Sequence, residues 1–140
     1  MNTPADHRKP APVETIMVLD SDVLVRMPLA QYLRDCGYRV LEAASADEGK
    51  AILQKPDIEV DMILGNVDMP GSMNGFGFAQ WARSVRPGLE VVLAGTPKRA
   101  VDAAAKLCHE GPTLMKPYDH QLVLAYIKRL LAARAQQAQR

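Results

Sequence analysis

Five short apolar runs alternate with five segments of helical pattern along this chain of 140 residues. Each run has the length of a β-strand, and most are apolar at nearly every position, which is typical of strands buried on both faces of a parallel sheet. The predicted strands are Thr15–Asp20, Arg39–Ala44, Val60–Gly65, Glu90–Ala94 and Thr113–Met115. Short connections between alternating strands and helices predict an α/β fold with helices on both faces of the sheet.

Capping residues and helix breakers give the approximate helix bounds. Asp22 is placed to cap a first helix that Gly37 ends, and Ser45 begins a capping box with Glu48 for a second helix that runs to about Gln54. The remaining helices are predicted over residues 76–85, 98–108 and 120–131. In the first and fifth helices the apolar residues recur with helical spacing, so each of these two has one face for the core.

Composition and charge favour one soluble domain and exclude several classes of partner. The net charge is +1 and no long basic run occurs, so neither nucleic acid nor a membrane surface is an expected ligand. The polar, proline-rich N-terminus lacks the apolar core of a secretory signal, and we expect a cytoplasmic protein. We predict a disordered extension over residues 1–13, a single domain over 14–133 and a frayed tail over 134–140.

The two cysteines, Cys36 and Cys108, show no CxxC or metal-binding spacing. Each falls near the end of a predicted helix. In a reducing cytosol, small buried thiols are the more common case, so the sequence favours two buried apolar residues over a redox pair.

Polar residues follow three of the predicted strands at their carboxyl ends. Asp20-Ser21-Asp22 follows the first strand, Asn66-Val67-Asp68 the third, and Lys116-Pro117 the fifth. In open parallel α/β sheets, the carboxyl ends of the strands are where ligands bind. The sequence therefore predicts a functional site built from these three segments.

The loop Asn66-Val-Asp-Met-Pro-Gly71 resembles the phosphoacceptor loop of receiver domains of two-component response regulators, which carry Asp-x-x-Met-Pro-Gly there. The three strand-end segments also occur in the order that receivers use, over about residues 15–131. The resemblance implies the flavodoxin-like (βα)5 receiver fold, a doubly wound five-stranded parallel sheet of order 2-1-3-4-5. It also implies a role in phosphorelay signalling, with a histidine kinase, a phosphotransfer protein or another signalling protein as partner.

Only part of the receiver site is kept in this sequence. Asp20 matches the first acid of the family's acidic pair, and Lys116 matches its lysine. Asp68 stands where receivers lend a backbone carbonyl to magnesium. Asp22 follows the acidic pair, and it favours a helix cap, with substitution for the missing acid as the alternative.

Four other positions depart from the family's pattern. Asn66 replaces the phosphoacceptor Asp, and Ser21 replaces the second acid, which is a direct metal ligand in the family. Ala94 stands at the position of the switch Ser or Thr, and Thr113 at that of the switch aromatic. A neutral amide is a poor nucleophile, and two carboxylates are lost from the metal site. We expect no phosphorylation at residue 66 and no cofactor. Magnesium should bind weakly if at all, and Asp20 and Asp68 are the weak candidate ligands for it.

The leading hypothesis is a stand-alone, non-enzymatic pseudo-receiver that acts by protein–protein binding, with no catalytic residues. The resemblance places docking and a possible homodimer on the face of the fourth helix, fifth strand and fifth helix. A first alternative is a phosphorylatable regulator that uses Asp20, Asp22 or Asp68. A minor alternative is a phosphatase, because Asp20-Ser-Asp22 resembles the Asp-x-Asp signature of haloacid dehalogenases, although the later acidic pair of that family is missing.

Overall fold

A computed structural model describes residues 14–110 of the chain. Four strands and four helices alternate within this range. They are β1 (Thr15–Leu19), α1 (Val23–Asp35), β2 (Arg39–Ala43), α2 (Ala46–Leu53), β3 (Met62–Asn66), α3 (Gly75–Val85), β4 (Glu90–Ala94) and α4 (Pro97–Glu110). The predicted fifth strand and fifth helix, the extension over 1–13 and the tail over 134–140 lie outside the described residues.

The four strands form one parallel sheet of order β2-β1-β3-β4. In the register of the sheet, Ile16 lies opposite both Val40 on β2 and Met62 on β3. The chain therefore starts at an inner strand, moves outward to β2 and returns across β1 to β3. This is the crossover of a doubly wound sheet, and the predicted order is confirmed for the strands that the structure describes.

Alternate side chains of β1 pack into two separate hydrophobic clusters on opposite faces of the sheet. Ile16 and Val18 belong to a cluster with residues of α1 and α4, whereas Met17 and Leu19 belong to one with residues of α2 and α3. All four are almost fully buried, as expected for an inner strand covered on both faces.

Local capping chemistry begins and ends the helices as the sequence predicts. The Asp22 carboxylate accepts a hydrogen bond from the Leu24 backbone N–H at 3.0 Å, and Ser45 Oγ accepts one from Glu48 N–H at 3.1 Å. Gly37 follows α1 with φ of +103°, the left-handed conformation that glycine adopts at low cost. No helix within residues 14–110 combines the length and the apolar character needed to cross a bilayer.

The third strand differs from its predicted bounds of Val60–Gly65. It begins at Met62, because Asp61 bonds to Thr15 through both its backbone N–H and its carboxylate before the ladder starts. It also extends through Asn66, which pairs in register with Ala94 of β4. Asn66 is thus the last residue of a strand, and this holds its backbone in the sheet.

The prediction that the cysteines are two separate buried thiols is wrong. Cys36 and Cys108 form a disulfide, with their Cα atoms 5.5 Å apart. Both are buried, as predicted, but the fold brings the C-terminal end of α1 against the last turns of α4. The sequence pattern could not show this contact, because 72 residues separate the two positions.

Candidate functional site

Asp20 and Asn66 meet at the carboxyl ends of β1 and β3. Asn66 Nδ2 donates a hydrogen bond to Asp20 Oδ2 at 3.4 Å, and the backbone N–H of Asp22 donates to Asp20 Oδ1 at 2.9 Å. The Asp20 residue is only 6% exposed. The structure thus joins the first-strand and third-strand segments through a hydrogen bond between a buried acid and a neutral amide.

The other side of the Asn66 amide stabilises its own loop. Asn66 Oδ1 accepts a hydrogen bond from the Asp68 backbone N–H at 2.9 Å, which is the local turn that Asn and Asp side chains favour. A carboxylate on one side requires the N–H group of the amide, and a backbone N–H on the other requires its oxygen, so the two contacts fix the amide orientation. Asn66 is therefore both a turn residue and a residue of the site.

Burial raises the pKa of Asp20 above its ordinary value, because desolvation penalises the charged form. The hydrogen bonds from Asp22 N–H and from Asn66 oppose this rise, the Asp22 charge adds to it, and the Arg26 charge lowers it slightly. Arg26 Nη1 donates to the Asp20 carbonyl at 2.9 Å, while its Nε pairs with Glu42 at 3.1 Å. Arg26 was not identified from the sequence, because a charged residue on a helix surface has no local signature.

The loop after Asn66 passes close to the start of α3. A Cβ atom at Gly75 would collide with the Asn66 carbonyl oxygen and lie 2.8 Å from Val67 Cα. Gly75 N–H donates to the Val67 carbonyl at 3.0 Å, and Asn74 caps the helix by accepting from Gly77 N–H at 2.9 Å. The Asn-Gly pair thus serves as a cap followed by a residue without a side chain, which lets the helix pack against the loop.

Asp20 and Asn66 both line a cavity of about 10 Å³, close to the space that one water molecule requires. Ala94, Thr96 and Ala100 are among the residues that line it. Ala94 brings a methyl group where the resemblance implies a hydroxyl. The Thr96 hydroxyl accepts a hydrogen bond from Arg99 N–H at 3.2 Å and so caps α4.

Among the other predicted site residues within residues 14–110, Asp22 and Asp68 contact this pair through their backbone N–H groups. Ser21 and Asp68 are exposed, and the Asp22 carboxylate is engaged as a helix cap. Lys116 and Thr113 lie outside the described residues. Between residues 14 and 110, no group of three or more His, Cys, Asp or Glu side chains is arranged to hold a metal ion.

The comparisons with known proteins agree with this fold. The family model of the response regulator receiver domain matches residues 16–128. In a structural comparison, the chemotaxis response regulator CheY4 of Vibrio cholerae is 27% identical with a TM-score of 0.55, over 86% of this chain and 100% of that one. A receiver domain protein from Clostridium thermocellum, 22% identical with a TM-score of 0.55 over 89% of this chain and 99% of that one, shares the fold.

Two curated relatives contain a matching region within longer proteins. One is the probable transcriptional regulator ycf29 of Cyanophora paradoxa, 35% identical over 68 residues, which are 49% of this chain and 31% of that protein. The other is protein-glutamate methylesterase/protein-glutamine glutaminase 2 of Caulobacter vibrioides, 28% identical over 81 residues, or 58% of this chain and 23% of that protein. The matched region thus spans a third or less of each relative.

Proposed function

The chain belongs to the response regulator receiver family of two-component signalling, and from this premise we propose that it is a pseudo-receiver that signals by binding other proteins. In this proposal its site is held in one charge state instead of being switched by phosphorylation. The observation that carries it is the hydrogen bond from the Asn66 amide to the buried Asp20 carboxylate. A phosphoacceptor would need an anionic oxygen at residue 66, and the amide has none.

The amide also removes the electrostatic reason for a divalent cation to bind. Mg²⁺ prefers several hard anionic oxygens, and Asp20 is the buried carboxylate of this pocket. Its charged form is already disfavoured by burial, and both of its oxygens have hydrogen-bond donors. Asn66 Oδ1 is engaged by Asp68 N–H, so the described residues do not fit a tight magnesium site.

The same geometry argues against a phosphatase. In that alternative, Asp22 would act as a general acid two residues after a nucleophilic Asp20. The Asp22 carboxylate instead accepts from Leu24 N–H, and its backbone N–H donates to Asp20. A cap that holds the first turn of α1 is poorly placed to deliver a proton to a leaving group. We therefore propose a non-enzymatic module, and the esterase activity named for the Caulobacter relative is not carried over.

An apolar surface beside the site supports a binding role. Three residues of the first turns of α1 are large, apolar and exposed: Val23 (42%), Leu24 (50%) and Met27 (56%). They start directly after the acidic segment at Asp20. We propose that a histidine kinase or phosphotransfer domain docks on this surface without phosphoryl transfer, in the cytoplasm, and that dimerisation uses the face of α4 and the segments after it.

Phosphoryl transfer is tested with acetyl phosphate and Mg²⁺, followed by intact-mass measurement of the full chain. We expect no mass gain of a phosphoryl group in the natural sequence, and a gain in Asn66→Asp that shows that the assay works. A stable gain in the natural sequence that disappears in Asp68→Ala or Asp20→Ala would instead establish a phosphorylatable regulator with a different acceptor.

Binding is tested with a panel of purified histidine kinase and phosphotransfer domains. For a domain that binds, we expect Leu24→Asp/Met27→Asp to weaken the affinity about tenfold or more, a loss of about 1.4 kcal/mol or greater. Val85→Asp is the matched control, because Val85 is equally exposed (47%) but lies at the far end of α3. Equal effects of the two changes, or no binding by any domain of the panel, would contradict this docking surface.

A further inference from the structure

Helix α4 is tied at its C-terminal end to the turn between α1 and β2 by two independent bonds. Cys108 forms the disulfide with Cys36, which is the C-cap of α1. One residue earlier, the Leu107 carbonyl accepts a hydrogen bond from the Tyr38 hydroxyl at 2.7 Å. Cys36 is 0% exposed and Cys108 6% exposed, so the disulfide is enclosed by the protein.

The fully buried residues of α4 before Cys108 have small side chains, and the partly buried Leu107 packs against the same cluster. These buried residues are Ala100, Val101 and Ala104. Alanine buries little apolar area compared with leucine or phenylalanine, and apolar attraction scales with that area. The two bonds to Cys36 and Tyr38 therefore add to the apolar packing that holds the C-terminal end of this helix in place.

The N-terminal end of the same helix forms part of the Asp20–Asn66 site. Pro97 and Ala100 line the same cavity as that pair. At 1.5 Å per residue, the helix extends over about 16 Å from Pro97 at the cavity to Cys108 at the disulfide. One continuous element thus contacts the site at one end and the cysteine pair at the other.

We propose that Cys36 and Cys108 form a reversible redox lock on α4, a property that goes beyond the proposed binding function and does not depend on it. A low-molecular-weight or protein thiolate attacks one sulfur of the disulfide and forms a mixed disulfide, and the other cysteine leaves as a thiolate that takes up a proton. A second thiol of the reductant then resolves the mixed disulfide. The protein gains two electrons and two protons, and the reductant becomes a disulfide.

Reduction leaves the C-terminal end of α4 attached by the Tyr38 hydrogen bond and by apolar packing that includes the Leu107 side chain. The end of the helix then opens more often, and the cavity at its other end loses part of its rigid wall. Because the sulfurs are buried, the reductant reaches them only when α4 opens locally, so reduction is slow compared with that of an exposed disulfide. The oxidised chain holds α4 closed, and the reduced chain releases it.

The test compares hydrogen–deuterium exchange of the full chain after oxidation by glutathione disulfide and after reduction by dithiothreitol, with thiol alkylation and intact mass to count free cysteines. We expect no alkylation of the oxidised native chain and two labels after reduction. We also expect the amides of residues 97–110 to exchange about tenfold faster or more once reduced. The amides of α2 and α3, on the opposite face, serve as the internal control and should be unchanged.

Two variants separate the disulfide from other effects. Cys36→Ser/Cys108→Ser should exchange in α4 as the reduced chain does and should not respond to dithiothreitol. Tyr38→Phe removes the hydroxyl alone and should keep the redox response. The proposal is overturned if glutathione disulfide does not join the cysteines, or if α4 exchanges at the same rate in both redox states. Because both outcomes are read from the natural sequence, the test stands even where the serine variant fails to fold.

Discussion

Replacing Asn66 by Asp should destabilise the fold at neutral pH. The change removes the N–H donor that lies 3.4 Å from Asp20 Oδ2 and puts a second carboxylate oxygen in its place. Two unit charges at that distance repel by about 5 kcal/mol at an effective dielectric constant of about 20. Protonating one of the two acids at pH 7 instead costs about 4 kcal/mol, since an ordinary carboxyl pKa lies about three units lower.

The expected loss is smaller than either limit, because residue 66 is only half-buried and water screens part of the repulsion. We expect the free energy of unfolding to fall by about 2 to 3 kcal/mol at pH 7 in a chelating buffer. The sign of the pH dependence follows from the proton balance. The folded variant holds a shared proton that the unfolded chain releases, so the loss shrinks as the pH falls from 7 towards 5. Millimolar Mg²⁺ should also restore part of the loss, since it binds the folded carboxylate pair.

Urea unfolding at pH 5 and pH 7, with and without Mg²⁺, measures all three effects. Asn66→Ala is the control, because it removes both hydrogen bonds of the amide without adding charge. Its loss should be about 1 to 2 kcal/mol and should not depend on Mg²⁺. A repulsion between the two carboxylates is contradicted if Asn66→Asp is as stable as the natural chain at pH 7 in chelator. It is also contradicted if the loss of unfolding free energy is the same at pH 5 and pH 7.

Three further predictions concern the site and the packing of the rest of the fold. Burial raises the Asp20 pKa above its ordinary value of 3.8, so the folded state binds the proton more tightly than the unfolded chain does. The free energy of unfolding should therefore fall as the pH rises from the unfolded pKa through the folded pKa. Asp20→Asn should flatten this slope in urea unfolding. Gly75→Ala should lower the free energy of unfolding by about 1 to 3 kcal/mol, since its Cβ meets loop backbone, whereas Gly95→Ala, whose Cβ finds only ordinary contact, should be nearly neutral by the same measurement. Arg86→Lys should cost about 1 to 2 kcal/mol in thermal unfolding, because the guanidinium donates to three backbone carbonyls within residues 53–58 and an ammonium cannot match that fork; a loss below about 0.3 kcal/mol would contradict it.

Features that depend on local chemistry were predictable from the sequence. The bounds of β4, Glu90–Ala94, match the prediction, because Pro87-Gly88 precedes this apolar run and Gly95 follows it. The cap at Ser45 and the left-handed Gly37 also follow from residue types at fixed offsets. The meeting of Asp20 with Asn66 follows from topology, since neighbouring parallel strands end at the same edge of the sheet.

Features that depend on distant contacts were not predictable in the same way. The disulfide joins residues 72 positions apart, and their spacing carries no pattern, so the expected redox state of the compartment decided the prediction. Arg26 reaches both the Asp20 carbonyl and Glu42, and nothing in its own helix indicates either contact. Val60 is apolar and buried but precedes β3, because burial alone does not place a residue in the ladder.

The neutral site and the disulfide together decide which chemistry is able to shift this fold between two states. A switch needs a modification that stabilises one state more than the other. In the proposed pseudo-receiver, Asn66 offers no phosphoryl acceptor to supply that difference. The Cys36–Cys108 disulfide is a second covalent bond whose making or breaking can supply such a difference. By chain entropy, a disulfide between residues 72 positions apart stabilises the folded state by about 4 kcal/mol relative to the fully unfolded chain. Local release of α4 recovers only part of this free energy, but half of it already changes a two-state ratio by about thirtyfold. In the proposed redox lock, the end of α4 farthest from the site is therefore the place where a reversible covalent change acts on the site.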